Sequence, residues 1–455
     1  MLSLTRLCFS CSLLLVSIGL YAQENISLSQ AVEIGLRNNY QIQIAERDVE
    51  IAQNNNDWAI AGKYPTIDLT FSANNTYSSQ NNPVGFLRAL SSFNTSVTPG
   101  IEANWILFDG YRVRITKQQL EQQEVLSHGN LQVAVENTIQ SVILAYYNAL
   151  VQKEQLDVLT EVLELSRDRV EYQEVRREFG QAGTFDVLQT QDAYLNDSTS
   201  YLVQATTYAN ALRNLNLAMG EDNLDQQYTL SDELTFTTED YDLEAMRTKL
   251  LANNKSLQNL FINRELARIG TQLEETEKYP QVSLRGGATY NSSWTLAGKG
   301  TFSGENDAGE PISIERDIGG VKNTSTNGFI NLSASYNLFD AGIRKKRIEN
   351  AQKEELIAQL NIEDLKRNLN GQLETTLATF NNQKELVKLT NQLVENAQQN
   401  LEIAEERFRG GLINSFDYRT IQVGYINASQ QRLNAIFNLK NTETELVKLI
   451  GGLIR

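Results

Sequence analysis

Residues able to do chemistry are few in this chain. His128 is the only histidine, and Cys8 and Cys11 both fall in an N-terminal apolar run. A Ser-His-Asp triad, a histidine metal cluster and a thiolate metal site are therefore not expected. Paired carboxylates such as Glu274-Glu275 lie on helical pattern without a pocket signal, and no phosphate-binding glycine loop precedes a helix. Two aspartates stand out by position. Asp186 follows Gly180, Gly183, Thr184 and Phe185, and Asp417 follows Gly410, Gly411, Ser415 and Phe416. With Thr184 and Ser415 as expected N-caps, each carboxylate falls in a first helical turn, where it compensates the helix dipole by roughly 0.3–1 kcal/mol. Gly180 and Gly411 are expected to take positive φ in the turns before them. No catalytic residue, cofactor or metal ligand is assigned.

The elements that carry these aspartates occur twice. Asp109 and Asp186 are 77 positions apart, as are Asp340 and Asp417. Each frame opens on Phe-Asp (Phe108-Asp109, Phe339-Asp340), and 69 residues without proline follow, Tyr111–Phe179 and Ala341–Arg409. At 1.5 Å per residue, each predicts a helix about 100 Å long. Upstream the copies are offset by 215 positions (Tyr64-Pro65 with Tyr279-Pro280) and downstream by 231 (Gly220 with Gly451). The 16-residue difference predicts an insertion, assigned to a loop over the Gly/Ser/Asn-rich run Gly298–Asn327. Two copies of helix–strand–strand–long helix–helix account for nearly the whole chain. The expected divisions are a signal peptide at 1–22, a first repeat at 23–220, an acidic linker at 221–240 near the waist of the long helices, and a second repeat at 241–455.

Ser27 or Ser29 is expected to cap a first helix running to about Gly62, ended by Tyr64-Pro65. Strands then alternate: Ile67, Leu69 and Phe71 oppose Thr66, Asp68, Thr70 and Ser72, with a loop expected from Asn74 to Gly85. Ile330, Leu332, Ala334, Tyr336 and Leu338 oppose Asn331, Ser333, Ser335 and Asn337. Such strands suit lipid outside and water inside, or one face on a protein core. Trp105, Tyr290 and Trp294 suit an interfacial girdle or ordinary sheet packing. The last helix keeps a 4-3-4-3 seam through Ile421, Tyr425, Ala428, Arg432, Ala435, Leu439, Thr442, Leu446 and Leu449, a coiled-coil pattern with small and polar members. A net charge of −16 argues against a nucleic-acid partner. Four strands cannot close a barrel, so membrane insertion would need several chains; two would supply eight strands and three would supply twelve.

The duplicated element order, Tyr-Pro entering each hairpin, the Phe108-Asp109-Gly110 and Phe339-Asp340-Ala341-Gly342 exits, and the Gly…Phe-Asp turns together resemble the TolC-like family of outer-membrane efflux proteins. The resemblance spans essentially the whole mature chain. It implies a mainly α fold with a membrane β-barrel portion: a homotrimer with a 12-stranded barrel in outer-membrane lipid, continued by an α-helical coiled-coil periplasmic tube. It further implies an exit duct for a tripartite efflux or type I secretion system, docked on a periplasmic adaptor (membrane fusion protein) and through it on an inner-membrane transporter. The competing expectation is a periplasmic coiled-coil adaptor or scaffold without a barrel. By position, the resemblance assigns Gly180, Gly183, Phe185, Gly410, Gly411 and Phe416 to adaptor-contacting tips, and Asp417, Asp186 and Thr420 to a pore gate. The family's tip arginine falls at Ile413 and its tyrosine at Phe408, which implies a more apolar tip without that polar latch.

Overall fold

A computed structural model describes residues 24–84, 87–235 and 240–454; the leader at 1–22 lies outside them. Each repeat opens on two short helices, α1 (Leu28–Asn38) and α2 (Tyr40–Asn55), then α5 (Leu243–Asn253) and α6 (Lys255–Glu275). A hairpin follows, β2 (Thr66–Val84) with β3 (Leu87–Asp109), then β5 (Gln281–Glu305) with β6 (Pro311–Ser335). The long helices α3 (Arg112–Glu178) and α7 (Ile343–Arg409) and the returning helices α4 (Thr184–Met219) and α8 (Ser415–Leu449) complete the two copies. Short strands β1 (Glu24–Ile26) and β4 (Tyr228–Leu230) pair in parallel.

The described residues form two compact units that cut across the repeats. One draws on 24–44, 133–235, 240–254 and 369–454; the other on 45–84, 87–132 and 255–368.

In the first unit, Ile26, Val142, Tyr146, Leu150, Leu215, Met219 and Leu230 make one buried cluster. Tyr146 donates its hydroxyl hydrogen to the Ile26 carbonyl at 3.0 Å and accepts the Asp232 N–H at 3.3 Å. Burial pushes that phenol's pKa up. Ser27 caps α1 with a full capping box. The single first helix expected from the sequence is instead two, broken at Asn39. There the side chain accepts the Gln41 N–H at 2.9 Å, at the start of α2, and donates to the Ala218 carbonyl at 3.3 Å. The second copy repeats the device: Asn254 donates to the Leu449 carbonyl at 3.1 Å. Gly220 and Gly451, both at positive φ, seat against these breaks. A Cβ on Gly220 would lie 2.9 Å from the Asn38 carbonyl, and one on Gly451 would lie 2.5 Å from that of Asn253.

In the second unit the strands form one antiparallel sheet in the order β2-β3-β5-β6. The register stacks apolar residues in rows: Ile67, Ala103, Gly286 and Ile330; Leu69, Ile101, Ala288 and Gly328; then Trp105, Leu284 and Leu332. The opposite face carries Thr66, Asn104, Arg285 and Asn331, with Arg285 paired to Glu102. Leu69 is 85% exposed and Ile330 81%. The apolar face is therefore not packed on a core of this chain. From Leu107 up to Val97 it covers about ten positions, the length of a tilted membrane strand. Trp105 stands near its lower end; Tyr77, Phe93 and Trp294 stand near its upper end on the same face. This favours the girdle reading of the aromatics.

Both expected loops are strand. Residues 74–84 continue β2, and Gly298–Asn327 is taken up by β5 and β6 around a turn at Asn306–Glu310. Cross-strand pairing outweighs the weak strand propensity of Gly, Ser and Asn. The insertion lengthens a hairpin. Conversely β6 ends at Ser335, short of the expected Tyr336 and Leu338, because Ser335 already pairs with Gln281, the first residue of β5. Two left-handed residues then turn each strand into its long helix: Gly110 (φ 70°) with Tyr111 (φ 72°), and Ala341 (φ 54°) with Gly342 (φ 83°). Asp340 caps the second joint, accepting from Gly342 N–H at 2.9 Å and Arg344 N–H at 3.0 Å. Among the described residues no helix is long and apolar enough to cross a membrane.

Candidate functional site

The two helical turns between α3 and α4 and between α7 and α8 have one backbone plan. Gly180 and Gly411 both take φ +70°, and a Cβ on either would meet nothing within 4 Å. Conformation, not crowding, calls for glycine there. Each closes a Schellman motif: Gln181 N–H donates to the Arg176 carbonyl at 2.8 Å, and Leu412 N–H to that of Arg407 at 2.8 Å. Gly183 (φ −84°) has no such need; nor does Gly410, which lies outside the positive-φ glycines.

The N-caps are Gly183 and Asn414, one residue earlier than the expected Thr184 and Ser415. The aspartates therefore sit three residues after the cap and do different work. Asp186 reaches back, its carboxylate accepting the Gly183 N–H at 2.9 Å. At the second turn Asn414 accepts the Asp417 N–H at 2.9 Å, and the Asp417 side chain is exposed. Thr420 is exposed and donates its hydroxyl hydrogen to the Phe416 carbonyl at 3.0 Å. Phe179, Phe185, Leu412 and Phe416 are 64–77% exposed around these turns.

Behind the second turn, Phe408 is buried. It stacks on Tyr418 with ring centres 5.3 Å apart and meets Tyr172 edge-on at 5.6 Å. Ile413 packs on the same cluster. Burial pushes the Tyr418 phenol up to about 12. Phe408 and Ile413 thus belong to an apolar cluster behind the turn. It is not the whole arrangement, because a buried polar clamp lies beside it. Arg419 on α8 grips Asp197 on α4 through both oxygens, each at 2.7 Å, and Ser166 on α3 donates to the same carboxylate at 2.5 Å. Gln422 joins Arg419 at 2.9 Å and Ser166 at 3.1 Å. Sequence spacing does not reveal this clamp, since Arg419 and Asp197 are 222 positions apart. The one trace is Ser166, the polar member of the helically spaced series Leu156, Leu159, Leu163, Ser166 and Val170.

Elsewhere His128 is exposed with Glu124 4.0 Å away, and Lys346 and Arg347 pair with Glu349 and Glu277 at a solvated helix start. Among the described residues no cluster of His, Cys, Asp and Glu could hold a metal ion.

The model for the outer membrane efflux protein family matches residues 32–221 and 246–452. The chain belongs to that family. No curated protein matches it in sequence. Solved channels share the fold of this efflux protein at low identity. The Campylobacter jejuni CmeC outer membrane channel aligns at 17% identity with a TM-score of 0.72, covering 95% of this chain and 86% of that one. The Vibrio cholerae outer membrane protein VceC aligns at 17% identity and 0.69, covering 93% and 96%. The open-state Neisseria gonorrhoeae MtrE outer membrane channel aligns at 17% identity and 0.64, covering 94% and 89%. This efflux protein is an outer-membrane channel protein.

Proposed function

We propose that three copies of this chain close their sheets into one 12-stranded barrel and act as the exit duct of a tripartite efflux or type I secretion system. One observation carries the reading. In an outer-membrane protein whose sheet has an exposed apolar face, β2 and β6 each have a single neighbour among the described residues. Backbone groups on those edges cannot stay unpaired in lipid, so neighbouring copies must supply the partners. Three sets of four strands also leave room for a lumen, whereas eight strands fill theirs with side chains. The scaffold alternative lacks any such use for the apolar face.

In this reading the repeats at 23–220 and 241–455 supply equivalent parts of the duct, with the signal peptide at 1–22 removed and the linker at 221–240 outside. Gly180, Gly183, Phe185, Gly410, Gly411 and Phe416 contact the periplasmic adaptor, and the inner-membrane transporter is reached through it. Asp417, with Asp186 and Thr420, lines the mouth. No catalytic chemistry is assigned. Native mass spectrometry in detergent should show three copies and planar bilayers should show ion channels. A folded, stable monomer or dimer would sink the reading.

A further inference from the structure

At the helical end of the sheet, the start of α3 and the end of α6 enclose a cleft of about 320 Å³. α3 follows β3 and α6 leads into β5, and these are the two inner strands of the sheet. Copies that add at the outer strands β2 and β6 therefore join away from the cleft. It is continuous with the apolar face. Phe108 pairs with Val282, two residues from Leu284 on that face. Its ring meets Tyr111 edge-on at 5.4 Å, and Tyr111 meets Tyr279 at 6.2 Å in the cleft wall.

Tyr111 holds φ +72°, where the second copy has Gly342 at +83°. A bulky side chain in the left-handed region is strained, so the ring is kept here at a conformational cost. Gly110 fixes the joint against the end of α6, since a Cβ on it would lie 2.5 Å from the Thr276 carbonyl oxygen. Of the charged groups lining the cleft, Lys278 and Glu275 neutralise one another at 2.8 Å. Arg114 is exposed and forms no ion pair among the described residues, whereas Arg112 and Lys117 on either side pair with Glu277 and Glu121. The cleft thus presents one unmatched, accessible positive charge beneath an aromatic rim and an apolar wall. Tyrosine rings favour the level of lipid headgroups, and a guanidinium matches phosphate oxygens in pairs.

We propose that this cleft holds the phosphodiester of a glycerophospholipid, with Arg114 as its anchor and the acyl chains lying along the apolar face. The site rests on that face being in the outer membrane. Copy number and conduction are read separately, so trimers and channels without the lipid site would overturn this proposal alone. The test is native mass spectrometry of the delipidated full-length protein in micelles. It is titrated with dioleoyl phosphatidylglycerol, with dioleoylglycerol as the tails alone, and with glycerophosphoglycerol as the headgroup alone. One saturable phosphatidylglycerol per chain is expected, bound at least tenfold more tightly than either fragment. Arg114→Gln should weaken it at least fivefold. Gln118→Trp, which fills the cleft from an exposed helix position and leaves the arginine, should do the same with helical circular dichroism unchanged. Lys345→Gln, at the counterpart of Arg114 beside the edge strand β6, should leave binding as it was. Phosphatidylglycerol held no better than dioleoylglycerol would remove the phosphate from the site. Glycerophosphoglycerol held equally well would make it a site for free phosphate esters. Either result would overturn the proposal, as would no saturable binding, unchanged binding by a folded Gln118→Trp, or equal losses in Lys345→Gln and Arg114→Gln.

Discussion

At the second turn Asn414 caps the helix and frees the Asp417 carboxylate, whereas at the first turn Asp186 is itself part of the cap. Asp186→Ala should therefore cost about 1 kcal/mol of local stability, and Asp417→Ala much less. If three Asp417 carboxylates meet at a narrow mouth they attract cations strongly. Single-channel recording should then find weaker block by multivalent cations in Asp417→Ala than in wild type, with Asp186→Ala changed less. Equal block in wild type and Asp417→Ala would place Asp417 outside the pore. Tyr418 gives the same region an alkaline limit. Its phenol ionises near 10 when unfolded and only at about 12 when folded. The stability it contributes is complete below pH 10 and falls by about 1.4 kcal/mol per pH unit between 10 and 12. Tyr418→Phe should flatten the decline of Tm over that window without abolishing it, since burial also raises Tyr425. An unchanged slope would contradict the assignment. Sequence position placed Phe408 and Ile413 at the tip, but not their burial, and the Arg419–Asp197 pair left no periodic signal at all.

Elements of strong period were legible before the structure. Both long helices and the alternation of Ile67, Leu69 and Phe71 follow the expected pattern, and the last seam holds at Tyr425, Ala428, Ala435, Leu439, Leu446 and Leu449. What misled was composition without tertiary context. Asn39 and Asn254 sit inside helical periodicity, and only the carbonyls they bond across the fold show why each helix breaks there. The Gly/Ser-rich insertion resembles a loop until its register with the partner strand is known. Because it is a paired hairpin, limited proteolysis should cut at Asn306–Glu310 and spare the flanking strand residues. If the helices claim the periplasmic end of each hairpin, protease added to intact cells should make that cut. Cleavage only after the outer membrane is opened would reverse the topology.

For the whole molecule, the sheet was the harder inference. Alternation alone leaves lipid and protein core equally open for the apolar face; exposure of Leu69 and Ile330 excludes a core built from the described residues. In the proposed assembly the unpaired edges call for neighbouring copies, and the room needed for a lumen favours three over two. The duplicated order of strands and long helices was legible from the 77-residue frame, but the break in each first helix was not. The division into compact units was not, because α3 and α7 each contribute to both.

The two glycine seats bear on ancestry. Gly220 returns to Asn38 and Gly451 to Asn253, so each repeat fastens its last helix to its own first one. Neither closure crosses to the other repeat. A polypeptide of half the length would hold its own ends together and could ring up as six copies where this chain would use three. Joining two such halves in one gene chiefly raises their local concentration and lets them diverge, as the longer β5–β6 hairpin and the unequal aspartates have done. Residues 24–235 and 240–454, exported as separate chains, should accordingly co-purify from the outer membrane through a tag on either one. Recovery of each half only without the other would show that the covalent join has become indispensable.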